Sequence, residues 1–192
     1  MTERSHPPAG HPDLRSTLAA YAVAWPDDAA DVARALDVAK STDPWDRSTS
    51  AHATGSAVVV HPPTGRVLLR WHDLMGSYLH VGGHGDPGER SPLDVARREA
   101  TEETALRDLR PWPDGTTAPI HVIAVPVPAN PTRGEGAHTH IDIRYVLATD
   151  EPDRARAEHE TATVRWLPLD RAVAEAGVPN LRATLGRIAT LL

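Results

Sequence analysis

Apolar residues near the start of the chain recur at helical spacing. Leu14, Leu18, Tyr21 and Trp25 fall on one stripe and predict an amphipathic helix. Pro26-Asp27-Asp28 then opens a second helix, with Val32, Leu36 and Ala39 inward and the acids at its positive end. Ser41–Ala51 is rich in Asp, Ser, Thr and Pro and reads as a linker, so residues 1–50 form a helical extension ahead of a main domain at 51–192. Residues 1–12, rich in Pro and His, read as a loose tail. From Gly55 the period changes. Ala57-Val58-Val59-Val60, the turn Pro62-Pro63-Thr64-Gly65 and Val67-Leu68-Leu69 predict two strands around a turn. A third short strand is expected near Tyr78–Val81, ending at Gly82-Gly83, and a helix from Pro92 to about Thr104. Further strands follow at Ile120–Val127, His140–Ala148 and Thr163–Leu167. Helices close the chain at Leu169–Ala176 and Asn180–Leu191, the last with Leu181, Leu185, Ile188 and Leu192 on one stripe. This mixed order predicts an α/β (α+β) domain in which helices sandwich a sheet.

Composition narrows the function classes. The 192 residues suffice for one domain with its own core, and no apolar run approaches the roughly 20 residues of a membrane-spanning helix. The first residues lack an apolar signal segment, so a cytoplasmic location is the default expectation. With no cysteine, disulfides and thiolate metal sites are excluded. The formal net charge is −6 and only short Arg clusters such as Arg97-Arg98 occur, which disfavours broad nucleic-acid binding. A small polyphosphate remains an admissible partner where a cation mediates.

The chemistry concentrates after residue 82. Gly82-Gly83-His84-Gly85-Asp86-Pro87-Gly88-Glu89 is a glycine-rich loop following a strand. Ser91-Pro92-Leu93-Asp94 supplies an N-cap serine, a proline at the first helical position and an acid at the capping-box position. Within the helix, Arg98-Glu99-Ala100-Thr101-Glu102-Glu103 puts Glu99, Glu102 and Glu103 on one arc, close enough to repel. Such crowding is unfavourable unless a positive group sits among the carboxylates, and Mg2+ is a hard cation suited to carboxylates, water and phosphate. A glutamate cluster by itself is more often a solvated helix face.

The stretch Gly83–Leu106 resembles the Nudix box: Gly, five residues, Glu, a spacer, Arg-Glu, an apolar residue, any residue, Glu-Glu, any residue, Gly, an apolar residue. The resemblance implies a Nudix-type α/β/α sandwich with a mixed sheet. It also implies a hydrolase that cuts pyrophosphate linkages with Mg2+, or Mn2+ in its place. Glu99, Glu102 and Glu103 match the metal-holding glutamates. Gly83 matches the first glycine, and Glu89 matches the glutamate that ties to the box arginine, here Arg98. Two departures stand out. The spacer Arg90–Arg97 has eight residues where the family has seven, which puts the Glu89–Arg98 pair in question, and Ala105 replaces the glycine after the helix. That glycine often takes φ > 0, at a cost to alanine of about 1 kcal/mol, so a different cap geometry is expected.

Outside the box, His138–Tyr145 alternates polar and apolar residues, so His140, Asp142 and Arg144 share one strand face. Two readings stay open: a substrate-facing row with Arg144 or His140 on phosphate, or a half-exposed strand with a local Asp–Arg pair. His84, beside the glycine pair, is the other histidine expected near substrate. Otherwise the 11 histidines show no zinc spacing such as His-Glu-x-x-His. Many Nudix enzymes recruit an acid from outside the box to the metal centre or the attacking water. Glu160 is the candidate here and Glu158 the runner-up, while Glu99, Glu103 and Glu160 form the candidate catalytic set.

The expected partner is a small-molecule diphosphate, such as a nucleoside diphosphate linked to another group, and the sequence leaves a homodimer open. The competing function is a ligand-binding or regulatory module of the same fold without turnover. An isopentenyl-diphosphate-isomerase-like activity relies, as that resemblance implies, on a cysteine that this chain lacks.

Overall fold

A computed structural model describes residues 11–159 and 161–192. Its organising feature is a pair of long parallel strands, β1 (Ala51–His61) and β7 (His138–Ala148), paired from Ala51↔Thr139 to Val60↔Ala148. Antiparallel strands flank them. On the β1 side lie β2 (Arg66–His72), β3 (Ser77–Leu79), β4 (Val81–His84) and β8 (Val164–Pro168). On the β7 side lie β5 (Arg110–Pro111) and β6 (His121–Val127). All eight strands form one mixed sheet.

The faces of this sheet carry different helices. Ala53, Ala57 and Val59 of β1 and Ile141, Ile143, Tyr145 and Leu147 of β7 point into one core. That core also takes residues of α1 (Leu14–Ala24), α2 (Ala29–Val38) and α3 (Pro92–Thr104). Val58, Val60, Val146 and Ala148 face the other core, under α4 (Leu169–Glu175) and α5 (Pro179–Ile188). The alternation of β-branched and small residues along β1 thus feeds two helical layers from one strand, and the fold is the expected α/β/α sandwich.

The N-terminal helices share the first core. Leu14, Leu18 and Tyr21 are buried in it, and Arg187 of α5 binds Asp28 through two hydrogen bonds (2.7 and 2.8 Å) while lying over the Trp25 ring. The following segment also braces the loop before α3. Trp45 packs against Gly85, where an added Cβ would stand 2.7 Å from its ring, and the Leu14 amide donates to the Arg90 carbonyl (3.1 Å).

Several expectations need correction. Leu36 is 37% exposed, because Ala35 takes the inward position beside Val32. The first strand begins at Ala51 rather than Ala57, since pairing with β7 recruits the polar residues ahead of the valines. The third strand divides at His80, and Gly82-Gly83 lies inside β4 rather than after the strand. Leu192 lies beyond the end of α5 and is exposed. Among the described residues, no helix is long and apolar enough to cross a membrane.

Candidate active site

The start of α3 forms as its local sequence dictates. The Ser91 side chain accepts from the Asp94 amide, Pro92 occupies the first turn, and Leu93, Val95, Ala96 and Ala100 are buried against the sheet. Asp94, expected at the capping-box position, instead meets His11 (2.7 Å). Gly55 of β1 allows the close packing of helix on sheet: a Cβ there would stand 2.6 Å from the Pro92 carbonyl oxygen. The helix ends at Ala105, which adopts φ 60°, ψ 7°. The left-handed cap is therefore kept despite the alanine, contrary to the expected change of geometry.

On this scaffold α3 presents its glutamates to the backbone of β4. The Gly82 N–H donates to Glu103 Oε2 (3.0 Å). Gly83 lies directly against Glu99, and a Cβ on Gly83 would meet that carboxylate at 2.6 Å. The glycine pair is thus the platform on which two carboxylates rest. Burial raises Glu99 above the ordinary carboxylate range, partly offset by Arg98. Glu103 is pushed up to about 7, first by burial and further by Glu99 and Glu158, against the pull of Arg70.

Arginines surround this pair. Arg98 donates two hydrogen bonds to Glu89 (3.1 and 3.0 Å), one to Glu99 (2.9 Å), one to Glu102 (3.1 Å) and one to the His84 carbonyl (2.8 Å). The Glu89–Arg98 pair therefore forms across the longer spacer. Burial works against the Glu89 carboxylate, but Arg98 and the Asp86 amide outweigh it and hold the group below its usual range. Arg70 of β2 lies 3.2 Å from Glu103 and 3.7 Å from Glu158. Glu102 is half-exposed on the Arg98 side of the helix. Open depressions lie on that side, along Arg97, Arg98 and Glu102, and beside Trp45.

The positive charge inferred from sequence to relieve the glutamates is thus already supplied in part by Arg98 and Arg70. Among the described residues the three glutamates do not bring three oxygens within 4.8 Å of one another. Glu99 and Glu103 share the β4 platform, and Glu102 stands apart. For a divalent cation the donor set fits: hard carboxylate oxygens, half-buried, raised by desolvation, one of them seated against a glycine whose missing Cβ lets the Glu99 carboxylate rest on the β4 backbone.

Residues 51–187 match the family model described as the NUDIX domain. The chain belongs to the Nudix family. A curated relative from Lactococcus lactis subsp. cremoris (strain MG1363), "Probable DHNTP pyrophosphohydrolase", is 34% identical over 87 residues, which is 45% of this chain and 49% of the relative. The chain thus spans about half the length of the curated relative it matches. Among solved structures, the Nudix domain resembles an E. coli dihydroneopterin triphosphate pyrophosphohydrolase (TM-score 0.55, 18% identity, 72% of this chain and 94% of that one). It also resembles a C. elegans Ap4A hydrolase binary complex (TM-score 0.53, 20% identity, 72% and 95%). At these identities the structural likenesses show the fold.

The remaining site candidates of the Nudix domain are placed as follows. Arg144 is a correction: it is 2% exposed and turned into the protein, bonded to Asp142 (2.7 Å), Thr184 (2.8 Å) and the backbone and side chain of Asn180. Alternation gave the right face, but α5 covers it. Burial would raise Asp142, yet Arg144, His80 and Ser56 outweigh it and hold the carboxyl far below its normal range. His84 and His140 meet each other (Nε2···Nε2 3.2 Å) on the face of β4 opposite Glu99. Glu160 lies outside the described residues. Arg70 escaped notice in the sequence, and Gly82 was read there as loop glycine without its amide contact to Glu103, because a strand arginine and a backbone amide carry no local signature. His52 and His138, which join His84 and His140, were missed for a different reason: the four come from three strands.

Proposed function

We propose that this Nudix protein is a divalent-cation-dependent hydrolase that cleaves a pyrophosphate linkage in a small molecule, a nucleoside or related heterocycle bearing a diphosphate or longer chain. The observation that carries this reading is the seating of Glu99 and Glu103 side by side on the Gly82-Gly83 backbone. The names of the relatives support the substrate class, since dihydroneopterin triphosphate and Ap4A both join a heterocyclic group to a chain of phosphates.

Glu99 and Glu103 would hold the cation, with Glu102 reaching it by turning away from Arg98. Mg2+ is the proposed ion and Mn2+ its substitute. The bound cation would supply charge neutralisation on the phosphoryl oxygens and a more acidic water. The chain's own residues do the rest. Glu89 anchors Arg98, and Arg98 holds the His84 carbonyl, which fixes the loop leading away from β4. Arg70 orients Glu103 and Glu158 toward each other. The base that takes the proton of the attacking water is proposed as Glu99 or Glu160, with Glu158 as the described alternative beside Arg70.

The test is a phosphate- and pyrophosphate-release screen with Mg2+ or Mn2+ over nucleoside triphosphates, nucleotide sugars, diadenosine tetraphosphate and dihydroneopterin triphosphate. Glu103→Gln is expected to lower turnover by about 100-fold or more. Wild-type turnover in that variant would overturn the assignment. A second reading, a ligand-binding module without turnover, is favoured by one observation: Arg98 and Arg70 already pair with all three glutamates. Tight binding of these compounds with no release from any would establish it instead.

A further inference from the structure

On the far side of β4 from the glutamates, four imidazoles converge from three adjacent strands. His52 comes from β1, His84 from β4, and His138 and His140 from β7. The strand register brings them together: His52 pairs with His140, and Thr54, two residues along the same face, pairs with His84. All ring centroids linked in the cluster lie 4.9–5.2 Å apart. We propose that His52, His138 and His140, with His84 as the fourth donor, form a tetrahedral site for a borderline transition-metal cation, Zn2+ first among them.

The hydrogen bonding of the rings leads to this assignment. His138 Nδ1 faces the Gly136 carbonyl at 2.8 Å. A carbonyl only accepts, so Nδ1 carries the proton and the Nε2 of the neutral ring presents a lone pair inward. This is the arrangement in which metal-bound histidines are usually held, with the outer N–H tied to a backbone oxygen. That Nε2 stands 3.0 Å from His140 Nε2, which in turn stands 3.2 Å from His84 Nε2. A single N–H on His140 can serve one of these neighbours, not both. Two nitrogens bound to one tetrahedral zinc at about 2.0–2.1 Å stand about 3.3 Å apart, close to these separations.

The independent observation is His52. Its side chain is 1% exposed, and neither ring nitrogen has a hydrogen-bond partner. The backbone of Thr49 acts on the ring but makes no well-formed bond to it. A buried imidazole with both nitrogens unsatisfied is costly, and one of them lies in the trio whose ligand atoms are all within 4.8 Å of one another. A cation would satisfy it and replace the close nitrogen contacts with bonds. Imidazole donors without thiolate or carboxylate suit Zn, Cu, Ni or Fe rather than Mg.

Electrostatics agree with the ligand state. Burial first, and then Arg47 and the neighbouring rings, push His84 down to about 3. Burial, His52 and His138 bring His140 to about 4. His84 and His140 are therefore held in the neutral form, the one that binds metal. Asp46 near His52 and Asp142 near His140 offer opposite charge to a bound dication. Occupancy would clasp the ends of β1, β4 and β7, and β4 is the strand on which Glu99 and Glu103 rest. The site stands independently of the glutamate reading.

The untagged full chain, stripped with chelator, should be titrated with Co2+ as a spectroscopic probe and with Zn2+ in competition. The expected result is one equivalent of Co2+ with intense tetrahedral d–d absorption, displaced by Zn2+. It should persist in a Glu99→Gln/Glu103→Gln variant, which separates it from the glutamate helix. His138→Gln and His84→Gln, both at partly exposed positions, should each weaken binding by at least about tenfold with an unchanged far-ultraviolet circular dichroism spectrum. Absence of the tetrahedral spectrum in the wild-type chain would overturn the proposal whatever the variants do. So would its loss in the glutamate variant, or its survival at full affinity in both histidine variants.

Discussion

Gly83 and Glu99 are in direct contact: a Cβ placed on Gly83 would stand 2.6 Å from the Glu99 carboxylate carbon. The obstructing atoms are the far end of a flexible side chain, so the chain can yield there at little cost in stability. What it cannot keep is the position of the carboxylate. Gly83→Ala is therefore expected to lower turnover by about tenfold or more while shifting the unfolding midpoint only slightly. Gly55→Ala should behave in the opposite way. Its Cβ would meet the Pro92 carbonyl oxygen and the Ala96 amide, which are helix backbone, and the cost is expected at about 1–3 kcal/mol. Steady-state kinetics beside thermal melts of both variants separates the two cases. Equal loss of stability in the two would refute the distinction.

Glu103 gives the protein a characteristic pH response. Its folded pKa stands at about 7, above the ordinary 4.5, chiefly through burial. Between these values the folded state binds more protons than the unfolded one, so this group's contribution to stability falls as pH rises through that window. The penalty is complete above about pH 7 and of the order of 3 kcal/mol at most. Glu103→Gln retains an acceptor for the Gly82 amide and removes the buried charge. In chelator it should melt at a higher temperature than wild type at pH 8, with the difference vanishing below about pH 4.5. Added Mg2+ should close the gap at pH 8 by stabilising only the wild type. A gap independent of pH would contradict this account.

Ala105 holds a left-handed backbone, φ 60°, that a glycine would adopt with less strain. Ala105→Gly is expected to stabilise the fold by up to about 1 kcal/mol, a rise of about 2–4 °C in Tm for a chain of this size. Calorimetry on the two proteins checks the sign. A lower Tm would mean that the entropy glycine adds to the unfolded chain outweighs the relieved strain.

Asp28 and Arg187 fasten the N-terminal helices to α5 through two hydrogen bonds, with Tyr21 also bonded to both. Asp28→Ala would leave a half-buried guanidinium without its carboxylate and should cost about 2–4 kcal/mol. Denaturant titration measures this. A change below about 0.5 kcal/mol would show that the pair is as weak as an exposed surface bridge.

Legibility in the sequence followed the range of the interactions. The start of α3 was readable to the residue because Ser91 and Pro92 act within one turn. The spacing of Glu99 and Glu103 on that helix was readable for the same reason. The Glu89–Arg98 pair was left uncertain by the extra residue, yet the loop absorbs it and a long guanidinium spans what remains. Arg144 shows the limit of alternation, which assigns a face but not the element that covers it; Asn180 and Thr184, 36 and 40 residues away, decide its fate. The start of β1 was missed because Ala51–Ser56 has Thr54 as its single β-branched residue and a glycine beside it, too weak a pattern to mark a strand on its own. Its pairing with β7 supplies the order. The histidine cluster was the least visible, since His84 and His140 stood out only as separate substrate contacts and the four rings come from three strands.

The buried row of Thr54, Ser56, Asp142 and Arg144 has a consequence for how the central ladder assembles. Were β7 to slide by a single residue, its polar side chains would swap places with Ile141, Ile143 and Tyr145. Asp142 and Arg144 would then be driven into oily surroundings that offer neither hydroxyls nor amide oxygens, and their greasy neighbours would sit among donors. Misaligned pairings of the two longest strands are thereby penalised far more heavily than in an all-valine ladder, so alignment is enforced from the middle of the sheet outward.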